Sequence, residues 1–295
     1  MIIENQLPIL QEINEESVRS ALASYGAVMI RPAENRMSDF IGLSDALMTP
    51  MVHHATNTIE RDPVGNDPST ATVNKGIEAI PLHREGSYAP VCPDLLIFYC
   101  EKPAAQGGET VICDGAELLK KLDNPTRDFL QDLELHWSWE ARPVRWQQTL
   151  RAQTIEDANK VLEKLRANLK PYESLSYHFD GDVLCGKFGT RAVIPSLLSG
   201  VSSFCNSLMI HAYRAKNEYF ARDDFRVLLA DGNPFPADLL AEIRDIADEI
   251  SLDIAWNPGE IVVVDNSRVM HGRRNFDDIN RRILLRMGYL RNNAS

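Results

Sequence analysis

The chain has 295 residues, 44% of them hydrophobic and 25% charged, which is the composition of an ordinary globular protein. Its net charge of −11 argues against nucleic-acid binding as a property of the whole molecule, and its longest apolar runs are far too short to cross a bilayer. The five cysteines form no CxxC pair and residues 1–5 show no signal-like pattern, so we expect a protein of the reducing cytoplasm.

The N-terminal part predicts a helix, a strand and a second helix. Apolar residues recur at helical spacing over residues 15–24, and residues 27–30 form a short apolar run that is typical of a buried strand. Residues 38–47 again show the helical pattern, with Ser38 as the expected N-cap. Residues 53–74 are polar and lack a strong period, which is typical of a lid or binding loop in a compact domain.

Further along the chain, predicted strands alternate with predicted helices. Strands are predicted at residues 95–100, 110–113, 260–265 and 282–290, and helices at 115–122, 154–169 and 236–250. Strands dominate around the motifs that carry chemistry, whereas helices gather near the N-terminus and in a helical middle insertion of about residues 115–255. This distribution favours a single domain over residues 1–295, mainly β with helices (α+β), with a double-stranded β-helix (jelly-roll) core.

A short motif, Leu82-His83-Arg84-Glu85-Gly86, places two potential metal ligands two residues apart. Side chains on a strand alternate between its faces, so His83 and Glu85 are expected to project from the same face. His271, which follows the apolar run 261–264, is the best candidate for a third ligand. Two histidines and one carboxylate on one face of an octahedron leave positions open for a cosubstrate and oxygen, as in iron(II) sites, whereas zinc is more often tetrahedral.

An arginine-rich strand and a glycine turn suggest an anion site near these ligands. Strand alternation places Arg282 and Arg286 on one face, and a guanidinium can bind a carboxylate through two parallel hydrogen bonds. Thr110, which follows a pair of glycines, can donate its hydroxyl to a carboxylate. We therefore expect Arg282 to bind the second carboxylate of a 2-oxo acid. The other arginines of this region are expected to face solvent or neighbouring acids: Arg273, Arg274 and Arg281.

Several longer strings surround these residues. They are Leu82-His83-x-Glu85-x-Ser87-Tyr88-x-Pro90, Phe98-x-Cys100-x-x-Pro103-Ala104-x-x-Gly107-Gly108-Glu109-Thr110, Asp231-Gly232-Asn233-Pro234-x-Pro236, Trp256-x-Pro258-Gly259, Val264-Asp265-Asn266, His271-Gly272-Arg273 and Arg281-Arg282. Together they resemble the taurine dioxygenase (TauD/TfdA) family of iron(II)/2-oxoglutarate dioxygenases, from about Tyr25 to Gly288. Each string is weak alone, but the combination is specific.

The resemblance implies a jelly-roll fold and a complete set of cofactors. It assigns iron(II), and thus the catalytic centre, to His83, Glu85 and His271. It assigns the cosubstrate 2-oxoglutarate to Thr110 and Arg282, with dioxygen as the second cosubstrate. Related halogenases replace the carboxylate ligand with a small residue, so the intact Glu85 disfavours halogenation.

The sequence indicates the substrate less clearly than it indicates the metal and the cosubstrate. The strings are most similar to the branch that contains the syringomycin-pathway aspartyl hydroxylase, although Arg84 stands where that branch usually has Asn. Arg286 falls where the family has a substrate-contacting arginine. Ser87 and Tyr88 follow the first motif and are expected to line the substrate pocket.

The expected reaction is hydroxylation of a small amino-acid-like substrate in secondary metabolism, with desaturation, epoxidation and cyclisation left open. The substrate is either free or tethered to a carrier protein, which exposed Arg273 and Arg274 would dock through opposite charge. Alternatives from other classes are a zinc or manganese hydrolase with the same three ligands and a non-catalytic cupin-like binding protein. The hydrolase leaves Arg282 and Thr110 without a role. No nucleic-acid or membrane partner is expected, and a homo-oligomer is left open.

Overall fold

The computed structural model describes residues 2–4, 7–31, 36–52, 61–216 and 225–291. Its helices are α1 (Glu15–Tyr25), α2 (Met37–Leu47), α3 (Gly115–Lys121), α4 (Asn124–Gln131), α5 (Pro143–Leu150), α6 (Ile155–Ala167), α7 (Leu208–Lys216) and α8 (Ala237–Ile250). Its first ten strands are β1 (Ile2–Glu4), β2 (Leu7–Leu10), β3 (Ala27–Ile30), β4 (Met48–Pro50), β5 (Pro63–Val64), β6 (Asp67–Thr72), β7 (Ile80–His83), β8 (Leu95–Lys102), β9 (Thr110–Asp114) and β10 (Glu134–Ala141). The remaining strands are β11 (Ser174–Asp180), β12 (Val183–Arg191), β13 (Val193–Pro195), β14 (Ser202–Phe204), β15 (Phe225–Leu229), β16 (Leu252–Ile254), β17 (Ile261–Asp265), β18 (Val269–Arg273) and β19 (Arg282–Leu290).

The largest sheet has nine strands in the order β1-β2-β3-β17-β8-β19-β6-β5, with β4 paired to β19. Its central strand β17 is buried on both faces, which explains its unbroken apolar sequence. Ile261 and Val263 pack towards the N-terminal helices, whereas Val262 and Val264 pack towards a second sheet. Each such side chain contributes roughly 1.5–3 kcal/mol of burial free energy.

A smaller sheet with the order β16-β9-β18-β7 packs against one face of the large sheet. Residues from both sheets share one apolar cluster, for example Phe98 and Leu285 from the large sheet and Ile112 and Val269 from the smaller one. The ends of β7, β9 and β18 therefore lie opposite the inner face of β8 and β19, and this arrangement positions the site described below.

The other face of the large sheet is covered by α1 and α2. Asn14 caps α1 by accepting from the Ser17 backbone N–H, and Gly26 ends it in the left-handed region at φ 75°. A Cβ at Gly26 would lie 2.7 Å from Val269, so this close approach also requires glycine. The predicted helices and strand of this part are confirmed, but the N-cap of α2 is Arg36, and Ser38 lies inside the helix.

The middle of the chain is less helical than expected. Besides α3 to α8, this part contains a third, antiparallel sheet with the order β11-β12-β10-β15. This sheet was not predicted from the sequence. Trp137 and Phe188 of this sheet pack with α8 on the outer face of the smaller sheet. Helices α5 and α6 pack on the third sheet at Trp146 and Leu162.

The described part of the stretch at residues 53–74 is mainly strand and not an irregular loop. Residues 53–60 lie outside the described residues, whereas β5 and β6 occupy most of the rest and pair with the large sheet. No helix in the described part of the chain is long and apolar enough to cross a membrane.

Candidate metal centre

Neighbouring strands of the smaller sheet bring two histidines together. His83 ends β7, His271 lies in the middle of β18, and the two residues are paired in the antiparallel register. Directly opposed side chains on one face of a sheet lie close together. The two imidazole rings accordingly have centroids 4.3 Å apart.

Glu85 reaches the same point from a turn rather than from the strand. Strand β7 ends at His83, and Glu85 opens the turn that follows. Its backbone is fixed by Asn266, whose Oδ1 accepts from the Glu85 N–H at 3.0 Å and whose Nδ2 donates to the Glu85 carbonyl at 3.0 Å. The fully buried Asn266 also donates to the Pro93 carbonyl at 2.7 Å. The Asn266 side chain thus makes the two hydrogen bonds to the Glu85 backbone that a neighbouring strand would otherwise make.

The three side chains present their donor atoms to one point. Oε2 of Glu85 is 3.9 Å from Nε2 of His83 and 3.9 Å from Nε2 of His271. One ligand atom from each residue lies within 4.8 Å of the others, so a single ion can contact all three. Two imidazole nitrogens and one carboxylate oxygen are the donor set of non-haem iron(II) oxygenases, and the residues present fit that ion.

Hydrogen bonding and burial prepare the donor atoms. His83 Nδ1 is 2.9 Å from the Pro81 carbonyl, which can only accept, so Nδ1 carries the proton and Nε2 keeps its lone pair for a metal. Burial, reinforced by His83, holds the pKa of His271 well below its usual value, so its ring is neutral at pH 7. Within the described residues His271 Nδ1 has no hydrogen-bond partner.

Glu85 is held in its ionised form by a cation that the sequence motifs did not reveal. Burial alone would raise the pKa of Glu85, but Arg61 and His83 outweigh it and hold the pKa well below its usual range. Arg61 Nη2 donates to Glu85 Oε2 at 3.0 Å. Arg61 precedes β5 in the polar stretch, where no periodic pattern marks a functional position.

These groups line an open cavity between the two packed sheets. Its polar lining beyond the three candidate ligands includes Arg61, Asn74, Thr110, Arg273 and Arg281. Its apolar lining includes Phe98 and Leu285 from the large sheet. Among the described lining residues, Glu85 is the single carboxylate among three arginines.

Thr110 and Arg281 are both available to an anion in this cavity. Thr110 Oγ1 accepts from Trp256 Nε1 at 3.0 Å, which leaves the hydroxyl proton free to donate elsewhere. Arg281 donates through Nε to the Gly108 carbonyl at 2.8 Å. Burial and the neighbouring Arg273 lower the pKa of Arg281 to about 10, as expected for a desolvated cation beside a second cation.

Arg273 also faces the cavity, and its charge is held by backbone carbonyls. Its guanidinium donates to the carbonyls of Asn74, at 2.6 Å, and Glu78, at 2.7 Å. The guanidiniums of Arg273 and Arg281 lie 5.1 and 5.2 Å from the ring centroid of Phe276. The expectation that Arg273 and Arg281 face solvent or neighbouring acids is therefore wrong, because both guanidiniums line the cavity and donate to backbone carbonyls. Of the arginine pair expected to dock a carrier protein, Arg274 is partly exposed, with Asp253 as its partner.

Arg282 and Arg286 share one strand face, as expected, but that face turns away from the cavity. Arg282 is exposed and forms an ion pair with Glu101. Arg286 is buried beneath α2, where it donates to the Ile41 carbonyl and pairs with Asp45. Consecutive residues of a strand project from opposite faces, so Arg281, the residue before Arg282, lines the cavity instead.

Ser87 and Tyr88 also lie outside the cavity lining. Ser87 is buried and donates to Ser207 Oγ at 2.7 Å. Tyr88 packs edge-on against Phe225, with ring centroids 5.3 Å apart, and against Trp137. Ser87 thus links the turn after β7 to the residue before α7, whereas Tyr88 packs this turn against the third sheet.

Comparison with known proteins places this arrangement in a family. The sequence profile described as "Taurine catabolism dioxygenase TauD, TfdA family" matches residues 4–287. A clavaminate synthase-like protein of Arabidopsis thaliana is 28% identical over 277 residues, covering 88% of this chain and 80% of the relative. The dapdiamide synthesis protein DdaC of Enterobacter agglomerans is 20% identical over 277 residues, covering 87% of this chain and 80% of DdaC.

The fold is shared with solved structures at low sequence identity. A taurine dioxygenase from Burkholderia xenovorans superposes with a TM-score of 0.59 at 16% identity, covering 95% of this chain and 82% of that one. The cofactors of this group are iron(II), 2-oxoglutarate and dioxygen. The family match spans nearly the whole chain, and the chain belongs to the TauD/TfdA family of iron(II)/2-oxoglutarate-dependent dioxygenases.

Proposed function

We propose that this enzyme hydroxylates a small amino-acid-like substrate at an iron(II) ion bound by His83, Glu85 and His271. The observation that carries the proposal is the convergence of two imidazole Nε2 atoms and one carboxylate oxygen within 4.8 Å at the wall of an open cavity. We also propose that the chain forms a single domain and that its two packed sheets form a jelly-roll core.

The 2-oxoglutarate site is proposed at Thr110 and Arg281, and no longer at Arg282. Arg281 lines the cavity with a lowered pKa, and the Thr110 hydroxyl has a free proton, so both groups can donate to the distal carboxylate of the cosubstrate. Arg282 is engaged by Glu101 at the surface, and its side chain is not part of the cavity lining.

When bound, iron(II) with 2-oxoglutarate supplies the oxidation of a substrate C–H bond by dioxygen. The side chains of this chain bind and orient. Neutral His271 and ionised Glu85 can bind a metal without losing a proton, so their pKa shifts favour metal binding at neutral pH. His83 offers the lone pair of its Nε2. Phe98 and Leu285 give the cavity apolar walls that limit the access of water.

Hydroxylation is proposed over desaturation, epoxidation and cyclisation because it needs no further group on the protein. Membership in an oxygenase family favours it over a zinc or manganese hydrolase and over a cupin-like binding protein. The relative DdaC is a dapdiamide synthesis protein, which supports a role in secondary metabolism. Presentation on a carrier protein stays a prediction, with Arg274 as the remaining partly exposed arginine for docking.

A substrate screen tests the proposal. The iron-loaded enzyme is incubated with 2-oxoglutarate, dioxygen and a panel of free and carrier-tethered amino acids, and succinate and substrate masses are followed by mass spectrometry. We expect succinate formation coupled to a product 16 mass units heavier, which is one added oxygen atom. Cleavage of a substrate with the addition of water, in the absence of 2-oxoglutarate or with zinc in place of iron, would favour the hydrolase alternative.

A further inference from the structure

Arg61 is a cavity residue that the 2-oxoglutarate site does not use. It lies in the segment before β5 and reaches across to Glu85 and to Met287 of β19. The residue is 7% exposed and still lines the cavity. Its place beside Glu85 distinguishes it from Arg281, which contacts Gly108 and Phe276.

Hydrogen bonds fix Arg61 in place, and among the described residues one side of its guanidinium has no strong acceptor. Nε donates to Asn74 Oδ1 at 2.7 Å, and Nη2 donates to Glu85 Oε2 at 3.0 Å. Within the described part of the chain, Nη1 contacts only the sulfur of Met287, at 3.8 Å. A thioether is a weak acceptor, so the N–H groups of Nη1 lack a strong partner.

The charges of the described lining residues do not balance without another anion. Arg61, Arg273 and Arg281 face a single carboxylate, Glu85, among the described lining residues. Iron(II) adds two positive charges and 2-oxoglutarate adds two negative charges, so the loaded cavity keeps an excess of positive charge. Buried charge without a counter-charge is costly.

We infer that the substrate is a small acid whose carboxylate binds Arg61 at the side of the cavity next to Glu85. The inference rests on the proposed function, because it concerns the ligand that shares the cavity with iron and 2-oxoglutarate. Asn74 keeps this arginine in position: its side-chain carbonyl accepts from Arg61, while its backbone carbonyl accepts from Arg273. A substrate anchored here lies beside the metal ligands, as oxidation of a C–H bond requires.

A simpler role for Arg61 would be to orient Glu85 alone. In that case Arg61 substitutions change metal affinity and leave substrate preference unchanged. If Arg61 binds the substrate carboxylate, Arg61 substitutions weaken the binding of acids far more than the binding of neutral analogues. The two roles are therefore separable by experiment.

The test uses protein loaded with Mn(II) and N-oxalylglycine, an inert analogue of 2-oxoglutarate. Mn(II) is paramagnetic and relaxes the protons of any small molecule bound close to it, so proton relaxation in solution NMR reports binding beside the metal. The probes are small carboxylic acids, including N-acetyl and free amino acids, each paired with its primary amide. Wild type is compared with Arg61→Gln, Arg61→Lys and the control Arg244→Gln, an exposed arginine paired with Asp245.

We expect relaxation of acids at concentrations where their amides show none, and a loss of acid affinity in Arg61→Gln of roughly tenfold or more, as for one lost hydrogen bond to a charged group. Arg61→Lys keeps part of the affinity, and Arg244→Gln keeps all of it. Equal binding of acids and amides, no acid binding at all, or an unchanged acid preference in Arg61→Gln overturns the inference. Failure of wild type to relax N-oxalylglycine itself counts against the proposed function instead. Circular dichroism and water-proton relaxation verify the fold and the Mn(II) affinity of each variant.

Discussion

Arg281 and Arg282 are consecutive residues whose side chains leave the backbone in opposite directions. Arg281 lines the cavity and donates to the Gly108 carbonyl, whereas Arg282 pairs with Glu101 at the surface. The alternation continues along β19, where Leu285 lines the cavity and Arg286 lies under α2. The proposed cosubstrate site therefore depends on one of two adjacent arginines.

Substitution of these two arginines distinguishes their roles. Arg281→Gln removes a charge-assisted contact worth about 1.5–3 kcal/mol, so we expect roughly 10- to 150-fold weaker 2-oxoglutarate binding. Arg282→Gln should change it less than twofold, because its partner Glu101 is also exposed. Isothermal titration of the Mn(II)-loaded protein with N-oxalylglycine measures both. Equal losses in the two variants, or a larger loss in Arg282→Gln, would return the role to Arg282.

Sequence patterns predicted several local elements correctly but did not predict which face of a strand meets the cavity. Residues 27–30 and 282–290 were predicted as strands because their apolar content and length are typical of buried strands, and both are confirmed. The face of β19 that meets the cavity depends on how the two sheets pack, and strand alternation alone leaves both choices open. For this reason the prediction that Arg282 and Arg286 share one strand face is correct, whereas the prediction that this face meets the cavity is wrong.

Asn266 is predicted to be a positioning residue for Glu85. Asn266→Ala removes four hydrogen bonds, two of them to the Glu85 backbone and one a weak contact to Cys92 Sγ, and leaves buried backbone groups without partners. We expect a loss of about 2–4 kcal/mol in the free energy of unfolding, together with weaker metal binding. Asn266→Asp keeps the acceptor for the Glu85 N–H and should be less damaging to metal affinity than Asn266→Ala. Urea unfolding and Mn(II) titration measure the two effects, and unchanged metal affinity in Asn266→Ala would remove the positioning role.

Gly272 is predicted to set the spacing between the two histidine strands. A Cβ at this position would lie 2.5 Å from the Ile80 carbonyl oxygen and 3.3 Å from the Leu82 nitrogen, both of them backbone atoms of β7. Gly272→Ala should push β7 away from β18, cost about 1–3 kcal/mol of stability and weaken metal binding. Gly181→Ala is a control for insertion of a methyl group, since a Cβ there meets no atom within 4 Å, although its φ of +60° adds some strain. Metal affinity that falls equally in both variants would contradict this account.

His211 gives a prediction about pH dependence away from the metal centre. It packs between Trp137 and Phe225, and burial together with Arg214 lowers its pKa below the ordinary value of 6.5. The unfolded chain then binds a proton at His211 more readily than the folded chain does. Its contribution to stability is therefore present above pH 6.5 and is lost as the pH falls through the folded pKa.

His211→Phe should keep the aromatic packing and remove this titration. We expect the metal-free variant to lose less stability than wild type when urea midpoints are compared between about pH 7.5 and 5. All other ionisable groups are the same in both proteins, so their contributions cancel in the comparison. Parallel pH profiles for the variant and wild type would show that His211 does not contribute.

The candidate metal ligands could be predicted from the sequence, whereas the arginines that line the cavity could not. His83, Glu85 and His271 combine ligand chemistry with recognisable spacing, and the structure brings them together. Arg61 is contributed by a polar stretch with no period, and only the tertiary fold places it beside Glu85. The third sheet carried a sequence signal that was overlooked, because β10 and β11 alternate polar and apolar residues without a break, as half-buried strands do. Only β12 carries glycines that weaken this pattern.

The central claim is that His83, Glu85 and His271 bind iron(II) beside 2-oxoglutarate. Its most direct test is anaerobic titration of iron(II) into protein containing 2-oxoglutarate, with the weak visible charge-transfer absorption of the iron–2-oxo acid chelate as the readout. The account predicts that the band saturates at one iron per wild-type chain and is absent in folded Glu85→Ala and His271→Ala. Absence of the band in wild type, or its survival in either variant, would contradict the account.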